Sequence, residues 1–455
     1  MKLNWLNRAQ TYCFSSLLSL CCKLMSLKKI KNITVEMSLS SNAEKNLMID
    51  ADRLWESLME LAKIGPGVAG GNNRQTLTDE DGEARDLLKS WCDKAGLSTT
   101  IDAMGCMFAE RAGEDPSALP VLIGSHLDTQ PTGGKYDGTL GVLAGLEVIR
   151  TLNDLNIKTK HPIQLVNWTN EEGCRFSPSM LASGVFAGVY EQSWAYDRTD
   201  DKGLKFGDEL KRIGWLGDKP VGHVKPHAYF ELHIEQGPIL EQNNMLIGVV
   251  TGGQGVAWTR IKLTGKESHT GSTPMGMRHD AGLGAAKITI LVNEIACKYS
   301  PHAVGTVGYS DIQPNSINII PGTATVTVDL RSADASILNA MKEQLDVGVE
   351  KIAQDLGLTV LVEKLSDSSP VTFDEGCVAT VRRAANGLNY PHMDIISGAG
   401  HDAFWINAVA PSAMVMCPCE GGLSHNEAEH ITHEWAEAGT NVLCRAATDT
   451  AIILN

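Results

Sequence analysis

The sequence has little positive charge for its length. In 455 residues, 39 lysines and arginines stand against 54 aspartates and glutamates, which gives a formal net charge of −15 at pH 7. Proteins that bind nucleic acids neutralise phosphates with Lys and Arg, so this balance argues against a nucleic-acid partner. It does not restrict a small-molecule substrate, because an acidic protein can have a locally basic pocket.

A paired-cysteine framework is also missing. The 11 cysteines are an odd number and include no CxxC pair. A chain of this length buries enough apolar surface to fold without disulfides. We therefore predict reduced thiols and a cytoplasmic protein, with Cys417 and Cys419 packed in the core rather than holding a soft metal.

The N-terminal part lacks both acids and an apolar run of membrane-spanning length. Residues 1–35 contain six basic residues and no acid, and their uncharged segment, 11–22, is shorter than the ~20 residues that a span needs. We expect no membrane partner. Residues 1–45 are interpreted as an extension that is disordered, carries organellar or export targeting, or precedes a true start at Met25 or Met37.

Helical and strand-like patterns alternate from about Ile49 onward. Residues 121–125 and 163–168 read as short buried strands, and a periodic apolar stretch between them, from Leu140 to Ile149, reads as a helix. This alternation predicts an α/β fold, a mostly parallel mixed sheet with helices on both faces. We assign residues 46–247 and 366–455 to this catalytic domain.

The middle of the chain has a different order of elements. Alternating segments near 260–265, 305–309, 324–330 and 358–362 enclose helical stretches at 280–298 and 335–355. The order β-α-β-β-α-β is typical of a ferredoxin-like α+β arrangement. We therefore predict a second domain inserted at residues 248–365.

Two residues with metal-binding side chains follow predicted strands, His126 after residues 121–125 and Glu172 after residues 163–168. Ligands of such sheets gather outside the carboxyl ends of the strands. Two divalent cations held close together need a bridging carboxylate and further His or carboxylate ligands. Asp137 is the candidate bridge, and the candidates for the outer positions are His126, Glu172, His233 and His425.

Two further acids have expected supporting roles. Asp128 follows His126 by two residues, so its carboxylate is expected to accept a hydrogen bond from that imidazole. Glu171 is expected to act as the general base that transfers a proton to a leaving nitrogen. The competing interpretation of Glu171–Glu172 is a solvated acidic pair, but the pair ends an apolar strand and precedes Gly173.

Several motifs together resemble one family of metal-dependent amidohydrolases. They are Gly-Ser-His-Leu-Asp-Thr, Gly-Gly-Lys-Tyr-Asp-Gly, Thr-Asn-Glu-Glu-Gly, His-Ile-Glu-Gln-Gly-Pro, Pro-Asn-Ser-Ile-Asn-Ile-Ile-Pro-Gly, Ser-Gly-Ala-Gly-His-Asp-Ala and Gly-Gly-Leu-Ser-His-Asn. From about Ile49 to the C-terminus, the chain is similar to the hydantoinase/carbamoylase amidases of the dizinc aminoacylase-like metallopeptidase superfamily. That branch includes N-carbamoyl-L-amino acid hydrolases, yeast-type β-ureidopropionases and allantoate amidohydrolases.

The resemblance implies a role for each matching position. One cation would be held by His126, Asp137 and His233, and the other by Asp137, Glu172 and His425, with Glu171 as the base. Zinc is the expected metal, with manganese, cobalt and nickel as alternatives that the same ligands suit. The family's substrate-binding positions correspond to Gln236, Asn318, Arg331 and His401. The family also implies a homodimer made by the inserted domain, in which His269 of the partner subunit would reach the reacting carbonyl.

The expected substrate is a small ureido acid. Hydrolysis of an N-carbamoyl-L-amino acid or N-carbamoyl-β-alanine would give the amino acid, carbon dioxide and ammonia. Allantoate or a related ureido acid is the first alternative. An aminoacylase or dipeptidase is the second, which His233 disfavours because peptidase branches place an acid there. A non-catalytic binding protein on the same fold is the third, although Glu171 and all five ligand candidates are present.

Overall fold

In a computed structural model, residues 47–454 are described, and the predicted extension at 1–45 lies outside them. Residues 49–453 form one compact unit. The helices are α1 to α12, at Ala51–Leu61, Asp79–Lys94, Thr139–Asp154, Leu181–Phe186, Gln192–Tyr196, Phe206–Arg212, Ile239–Gln242, Ala281–Lys298, Ala335–Leu356, Glu375–Gly387, Asp402–Ile406 and His433–Ala451. None of these described helices is long and apolar enough to cross a bilayer.

The strands follow the same chain order. They are β1 to β17, at Ser98–Ile101, Met107–Arg111, Val121–His126, Lys158–Thr159, Ile163–Trp168, Ala228–Ile234, Ile247–Gly253, Gly255–Thr264, Ser268–His269, Ala303–Gln313, Ile319–Ile320, Thr323–Ser332, Thr359–Ser368, Val371–Thr372, His392–Ser397, Ser412–Cys417 and Ile453–Leu454.

The main sheet has nine strands and a parallel centre. Its order is β1-β2-β5-β3-β6-β16-β7-β14, with β15 pairing with β7. The central strands β5, β3, β6 and β16 all run parallel, whereas the outer pairs β1–β2, β2–β5 and β7–β14 are antiparallel. The predicted α/β class with a parallel central sheet is confirmed.

Complete burial explains the apolar sequence of the central strands. All residues of β3, β5, β6 and β16 are buried, so these strands lack the alternation of a half-exposed sheet. Gly124 in β3 has a φ of +150°, and a Cβ at this position would lie 2.0 Å from the carbonyl oxygen of Val166 in β5. Only glycine therefore allows these two strands to approach as they do.

A second, antiparallel sheet holds the predicted β-α-β-β-α-β order. The elements β8, α8, β10, β12, α9 and β13 follow one another, and the sheet order is β10-β12-β8-β13. Helices α8 and α9 cover one face around a core that includes Ile261, Ile288, Val326 and Met341. The sheet spans residues 255–368, and a separate domain bounded at 248 and 365 stays a prediction.

The predicted state of the cysteines also fits the structure. All eight cysteines of the described residues are free thiols, and Cys417 and Cys419 are completely buried. Both therefore lie in the core, as the sequence analysis predicts.

Candidate active site

The parallel centre of the main sheet brings all five predicted ligands to one edge. β3 ends at His126, and β6 carries His233 as its penultimate residue. The loops after β5 and β16 supply Glu172 and His425, while Asp137 lies just before α3. Because the strands are parallel, their carboxyl ends meet at this edge.

The five side chains form two groups that share Asp137. His126, Asp137 and His233 have ligand atoms that all lie within 4.8 Å of one another, as do those of Asp137, Glu172 and His425. Oδ1 of Asp137 is 3.7 Å from Nε2 of His126 and 3.1 Å from Nε2 of His233. Its Oδ2 is 3.5 Å from Nε2 of His425. Each oxygen of Asp137 thus faces a different group, which is the arrangement that a bridging carboxylate requires.

Main-chain carbonyls orient two of the imidazoles. Nδ1 of His126 is 2.9 Å from the carbonyl oxygen of Asp128, and Nδ1 of His233 is 2.9 Å from that of Ile234. An imidazole that donates from Nδ1 presents an unprotonated Nε2 to a cation. Both rings are 1% exposed, so their orientations are further fixed by packing.

Asp128 accepts the hydrogen bond of His126 through its main-chain carbonyl oxygen and not, as expected, through its carboxylate. The carboxylate of Asp128 lies 3.9 Å from Nδ1 of His126, beyond hydrogen-bonding distance. Its two oxygens instead accept hydrogen bonds from the main-chain N–H groups of Glu171 and Glu172, at 3.3 and 3.2 Å. The reason is that the chain turns after β3, which brings the Asp128 carbonyl to the imidazole and directs the carboxylate at the next loop. Asp128 therefore positions both glutamates.

Glu171 lies beside the first group. Its Oε2 is 3.5 Å from Nε2 of His126, and the residue is buried. Burial raises the pKa of Glu171 well above its usual range, and the nearby charges of Asp402 and Glu172 raise it further. The same two causes, burial and then the charge of Asp137, raise the pKa of Glu172.

The imidazoles differ in their charge preference. Burial lowers the pKa of His126 to about 4. Burial also opposes the charged form of His233, but the charges of Asp137 and Glu231 outweigh it and raise the pKa of this ring to about 9. In return, His233 holds the pKa of Asp137 far below its usual range against the effect of burial.

Two residues that the sequence analysis missed hold Asp137. Glu429 accepts hydrogen bonds from the main-chain N–H groups of Tyr136 and Asp137, both at 3.1 Å. The hydroxyl of Ser424 lies 2.9 Å from Oδ2 of Asp137 and 3.1 Å from Oε2 of Glu429. Their closeness to His425 in the chain was the available signal. It did not distinguish Glu429 from Glu427, which turns away to residues 69–71.

Two of the predicted substrate-binding residues border the groups. Nε2 of Gln236 donates to Oδ2 of Asp137 at 2.8 Å, while its Oε1 is buried and has no hydrogen-bond partner among the described residues. The His401 ring is buried 4.4 Å from that of His233, and its Nε2 is 2.9 Å from the hydroxyl of Ser397. Burial lowers the pKa of His401 well below its usual range.

The remaining predicted residues belong to the second sheet and a short ribbon. Arg331 in β12 pairs with Asp329 at 2.9 Å and donates from Nη1 to the carbonyl oxygen of Gly398 at 2.8 Å. His269 lies in β9 and pairs with Ile319 of β11, and Asn318 directly precedes β11. The N–H of Thr270 donates to the carbonyl oxygen of Asn318 at 3.1 Å. Within residues 47–454, the hydrogen bonds of Asn318 and His269 stay inside the ribbon and its adjoining loops. Neither residue has a hydrogen bond to Asp137 or to another candidate ligand in this part of the chain.

Comparison with known proteins identifies the family of the chain. The profile of peptidase family M20/M25/M40 matches residues 122–449. The N-carbamoyl-L-amino-acid amidohydrolase of Rhizobium meliloti is 60% identical over 410 residues, which cover 90% of this chain and 99% of the relative. The N-carbamoyl-L-amino acid amidohydrolase of Geobacillus stearothermophilus is 37% identical over 400 residues, covering 87% of this chain and 97% of the relative.

A solved structure extends the likeness to the fold. The crystal structure of an amidase of the hydantoinase/carbamoylase family from Burkholderia multivorans superposes with a TM-score of 0.87 at 52% identity. The match covers 89% of this chain and 98% of that one. The chain therefore belongs to peptidase family M20/M25/M40, within its branch of hydantoinase/carbamoylase amidases.

Proposed function

We propose that the chain hydrolyses the carbamoyl C–N bond of N-carbamoyl-L-amino acids to the free amino acid, carbon dioxide and ammonia. The observation that carries this proposal is the carboxylate of Asp137 shared between two groups of ligand atoms, with Glu171 beside them. The 60% identical relative supports the choice of substrate, since its name gives N-carbamoyl-L-amino acids.

The residues fit two divalent cations. The donor atoms are imidazole nitrogens and carboxylate oxygens, which suit zinc as well as manganese, cobalt and nickel. Four carboxyl groups crowd this buried edge, at Asp137, Glu171, Glu172 and Glu429. Within the described residues, the ion-pair partners of Asp137, Glu171 and Glu172 are all histidines, and Glu429 has no ion-pair partner. Bound cations would compensate this charge, polarise the carbamoyl oxygen and lower the pKa of water. We propose zinc as the native metal.

Glu171 is the residue that we assign to proton transfer. It would take a proton from the attacking water and return it to the nitrogen that leaves. Burial suits this role, because it raises the pKa of the carboxyl group and lets it hold the proton between the two steps. The main-chain N–H of Glu171 is fixed by Asp128, so the side chain starts from a defined position.

Binding of the two ends of the substrate is assigned to different residues. The unpartnered Oε1 of Gln236 can accept a hydrogen bond from a ureido N–H next to Asp137. Arg331 is the candidate for the substrate carboxylate, since a guanidinium binds carboxylates with two parallel hydrogen bonds. The carboxylate would replace or share its present contacts with Asp329 and Gly398. Asn318 and His401 would add polar contacts on either side.

A homodimer is proposed to complete the site. The N–H groups of Gly271 and Ser272 lie 3.0 and 3.2 Å from Nδ1 of His269, so this ring carries its proton on Nε2. His269 is exposed on the ribbon, and a donor held in this way suits an oxygen on which negative charge develops. Apolar side chains are also exposed on the second sheet and its helices, among them Ile290 in α8 and Leu361 in the edge strand β13. Both suit contact with a second copy.

A substrate panel tests the proposed activity. The protein is loaded with zinc, manganese, cobalt or nickel and given N-carbamoyl-L-amino acids, their D-enantiomers, N-carbamoyl-β-alanine, allantoate and N-acetyl-L-amino acids. Ammonia release from the N-carbamoyl-L-amino acids is expected to have the highest kcat/KM. Preference for allantoate or N-acetyl substrates would reject the substrate assignment, and no hydrolysis of any of them would reject the enzyme.

A further inference from the structure

The two groups of candidate ligands differ in how the main chain and its hydrogen bonds fix the ligand side chains. In the first group, His126 and His233 are buried strand residues whose Nδ1 atoms bond to main-chain carbonyls. In the second group, Glu172 and His425 both lie in loops. The side chain of His425 is 49% exposed, and its backbone has a φ of +52°, a strained value for a residue other than glycine. Within the described residues, no carbonyl orients its Nδ1.

Gln130 holds Glu172 from two sides. Its main-chain N–H donates to Oε1 of Glu172 at 3.1 Å, and its side-chain Nε2 donates to Oε2 at 2.7 Å. Oε2 is also the oxygen that lies 3.4 Å from Nε2 of His425. A carboxylate oxygen has two acceptor positions. Gln130 can therefore keep its hydrogen bond and leave the other position of Oε2 directed at a cation.

The loop around Gln130 is itself anchored. The N–H of Thr129 donates to the carbonyl oxygen of Arg74 at 2.9 Å, and the Thr129 hydroxyl accepts the N–H of Arg74 at 2.8 Å. The N–H of Gly133 closes the turn on the carbonyl oxygen of Gln130 at 3.2 Å. These hydrogen bonds hold the backbone of Gln130 in place. The side-chain amide of Gln130 can therefore hold the carboxylate of Glu172 in one position.

Glu427 anchors the loop that carries His425. Its Oε2 accepts hydrogen bonds from the main-chain N–H groups of Ala69 and Gly71, at 2.5 and 3.2 Å. A Cβ at Gly67 would lie 2.3 Å from this oxygen, so only glycine leaves room for the carboxylate. Since Glu427 follows His425 by two residues, this contact holds the strained backbone from the solvent side.

We propose that Gln130 and Glu427 are positioning residues that set the affinity of the second cation, the one assigned to Asp137, Glu172 and His425. This inference rests on the two-cation centre of the proposed function. The second cation binds more weakly than the first, because two of its three ligands are loop residues whose positions depend on these contacts. Removing either contact weakens the second cation and leaves the first, strand-held cation unchanged.

The test measures zinc binding without substrate. Metal-free full-length protein is titrated with Zn²⁺ against a chromophoric chelator, as wild type, Gln130→Leu and Glu427→Gln. The leucine variant keeps the main-chain donor and loses the amide, and the glutamine variant keeps the length and loses the charge. The controls are Gln344→Leu, which removes an amide hydrogen bond from α9 to Tyr299 at the C-terminal end of α8, and Glu60→Gln, which removes an exposed ion pair with Lys63.

Wild type is expected to bind two zinc ions with unequal affinity. Each test variant is expected to lose about 10- to 100-fold in affinity for the weaker ion only, the usual effect of losing a group that orients a metal ligand. Hydrolysis by both variants should then recover as the zinc concentration is raised. The two controls should match wild type in both affinities.

Three results would overturn the inference. Unchanged affinities in both variants would show that neither contact matters for the cation. Equal loss of both ions, together with a lower thermal midpoint, would show a general structural role. Two ions of equal affinity in wild type would reject the inequality, whereas fewer than two ions would reject the metal centre of the proposed function itself.

Discussion

Glu171 is surrounded by other buried acids, so the pKa of its carboxyl group depends on the charges of its neighbours. Burial disfavours its ionised form, and the charges of Asp402 and Glu172 disfavour it further. Asp137 differs from Glu171, since His233 lies 3.1 Å away and favours its charged form. Two carboxyl groups at one edge of the sheet thus have opposite protonation preferences. This separation is the condition under which one can carry a proton while the other stays a ligand.

Replacing Glu171 by glutamine tests its role in proton transfer. The amide keeps the size of the side chain but cannot accept and return a proton. We expect kcat to fall by about 10²- to 10⁴-fold, while the zinc content and the thermal midpoint stay close to those of wild type. The measurement is steady-state hydrolysis with metal analysis of the same samples. An unchanged kcat would contradict the assignment, and loss of zinc would make Glu171 a ligand instead.

Asp102 is a buried acid that has no part in the candidate site. Its Oδ1 accepts hydrogen bonds from the main-chain N–H groups of Met104 and Cys106. Its Oδ2 is buried and has no hydrogen-bond partner among the described residues. Burial raises the pKa of Asp102 from 3.8 to about 7. The folded protein thus binds this proton more tightly than the unfolded chain does. The resulting stability is complete below about pH 4 and is lost as the pH rises through about 7.

The Asp102→Asn variant is expected to be less sensitive to pH than wild type. Asparagine keeps the acceptor for Met104 and Cys106 and cannot ionise. Wild type should lose on the order of 3 kcal/mol more stability than the variant between pH 5 and 8. Thermal midpoints at both pH values, at one fixed zinc concentration, measure the difference. Asp218→Asn at the surface is the control, and equal pH dependence of Asp102→Asn and wild type would contradict the prediction.

The sequence was more informative about the candidate ligands than about the residues that hold them in position. The candidate ligands could be chosen from the sequence because they lie in motifs that resemble one family, and His126 and Glu172 also follow predicted strands. The full set is His126, Asp137, Glu172, His233 and His425. Ser424, Glu429 and the main-chain contact of Asp128 were not predictable. These depend on how loops turn after the strands, and several acids of one loop are equivalent until the backbone path decides which one points inward.

At the scale of the elements, the start of α3 determines whether the first group can form. Gly138 precedes this helix with a φ of +62°, and its N–H donates to Nε2 of His233 at 3.2 Å. A Cβ at Gly138 would lie 2.3 Å from both Cε1 and Nε2 of His126. The end of β3 and the start of α3 therefore approach each other so closely that only glycine fits between them.

The Gly138→Ala variant is expected to lose the first cation. The methyl group must displace the imidazole of His126, so zinc binding at this group should weaken by about 10- to 100-fold or be lost. Gly214→Ala is the matched control, since Gly214 has a φ of +77° and nothing within 4 Å of its Cβ position. The control should cost only about 1–2 kcal/mol of backbone strain. Zinc titration and thermal unfolding of both variants separate the two effects, and normal zinc affinity in Gly138→Ala would contradict the prediction.

Long periodic elements followed directly from the sequence. Helix α3, at Thr139–Asp154, contains the periodic apolar stretch from Leu140 to Ile149 that predicts it. The order of the second sheet was also predictable, because a β-α-β-β-α-β succession has few compact arrangements. Short pieces such as the β9–β11 ribbon were not, since strands of two residues have no period to recognise.

At the scale of the whole molecule, the two sheets supply different parts of the proposed reaction. The main sheet holds the ligands and Glu171, whereas the second sheet and the ribbon hold Arg331, Asn318 and His269. Arg331 donates a hydrogen bond to the carbonyl oxygen of Gly398, just after β15 of the main sheet. Within residues 47–454, the ribbon has no hydrogen bond to Asp137. In the homodimer proposed above, the ribbon of the second copy would supply His269.

Mixing two inactive variants tests whether the site is shared between subunits. Glu171→Gln lacks the base and His269→Ala lacks the donor, so each homodimer should be nearly inactive. In a mixed dimer, one site combines the intact Glu171 of the His269→Ala chain with the intact His269 of its partner. Random mixing after mild dissociation should therefore restore about a quarter of wild-type activity. Chains mixed without dissociation are the control. No recovery from dimers that demonstrably exchange subunits would mean that His269 acts within its own chain or not at all.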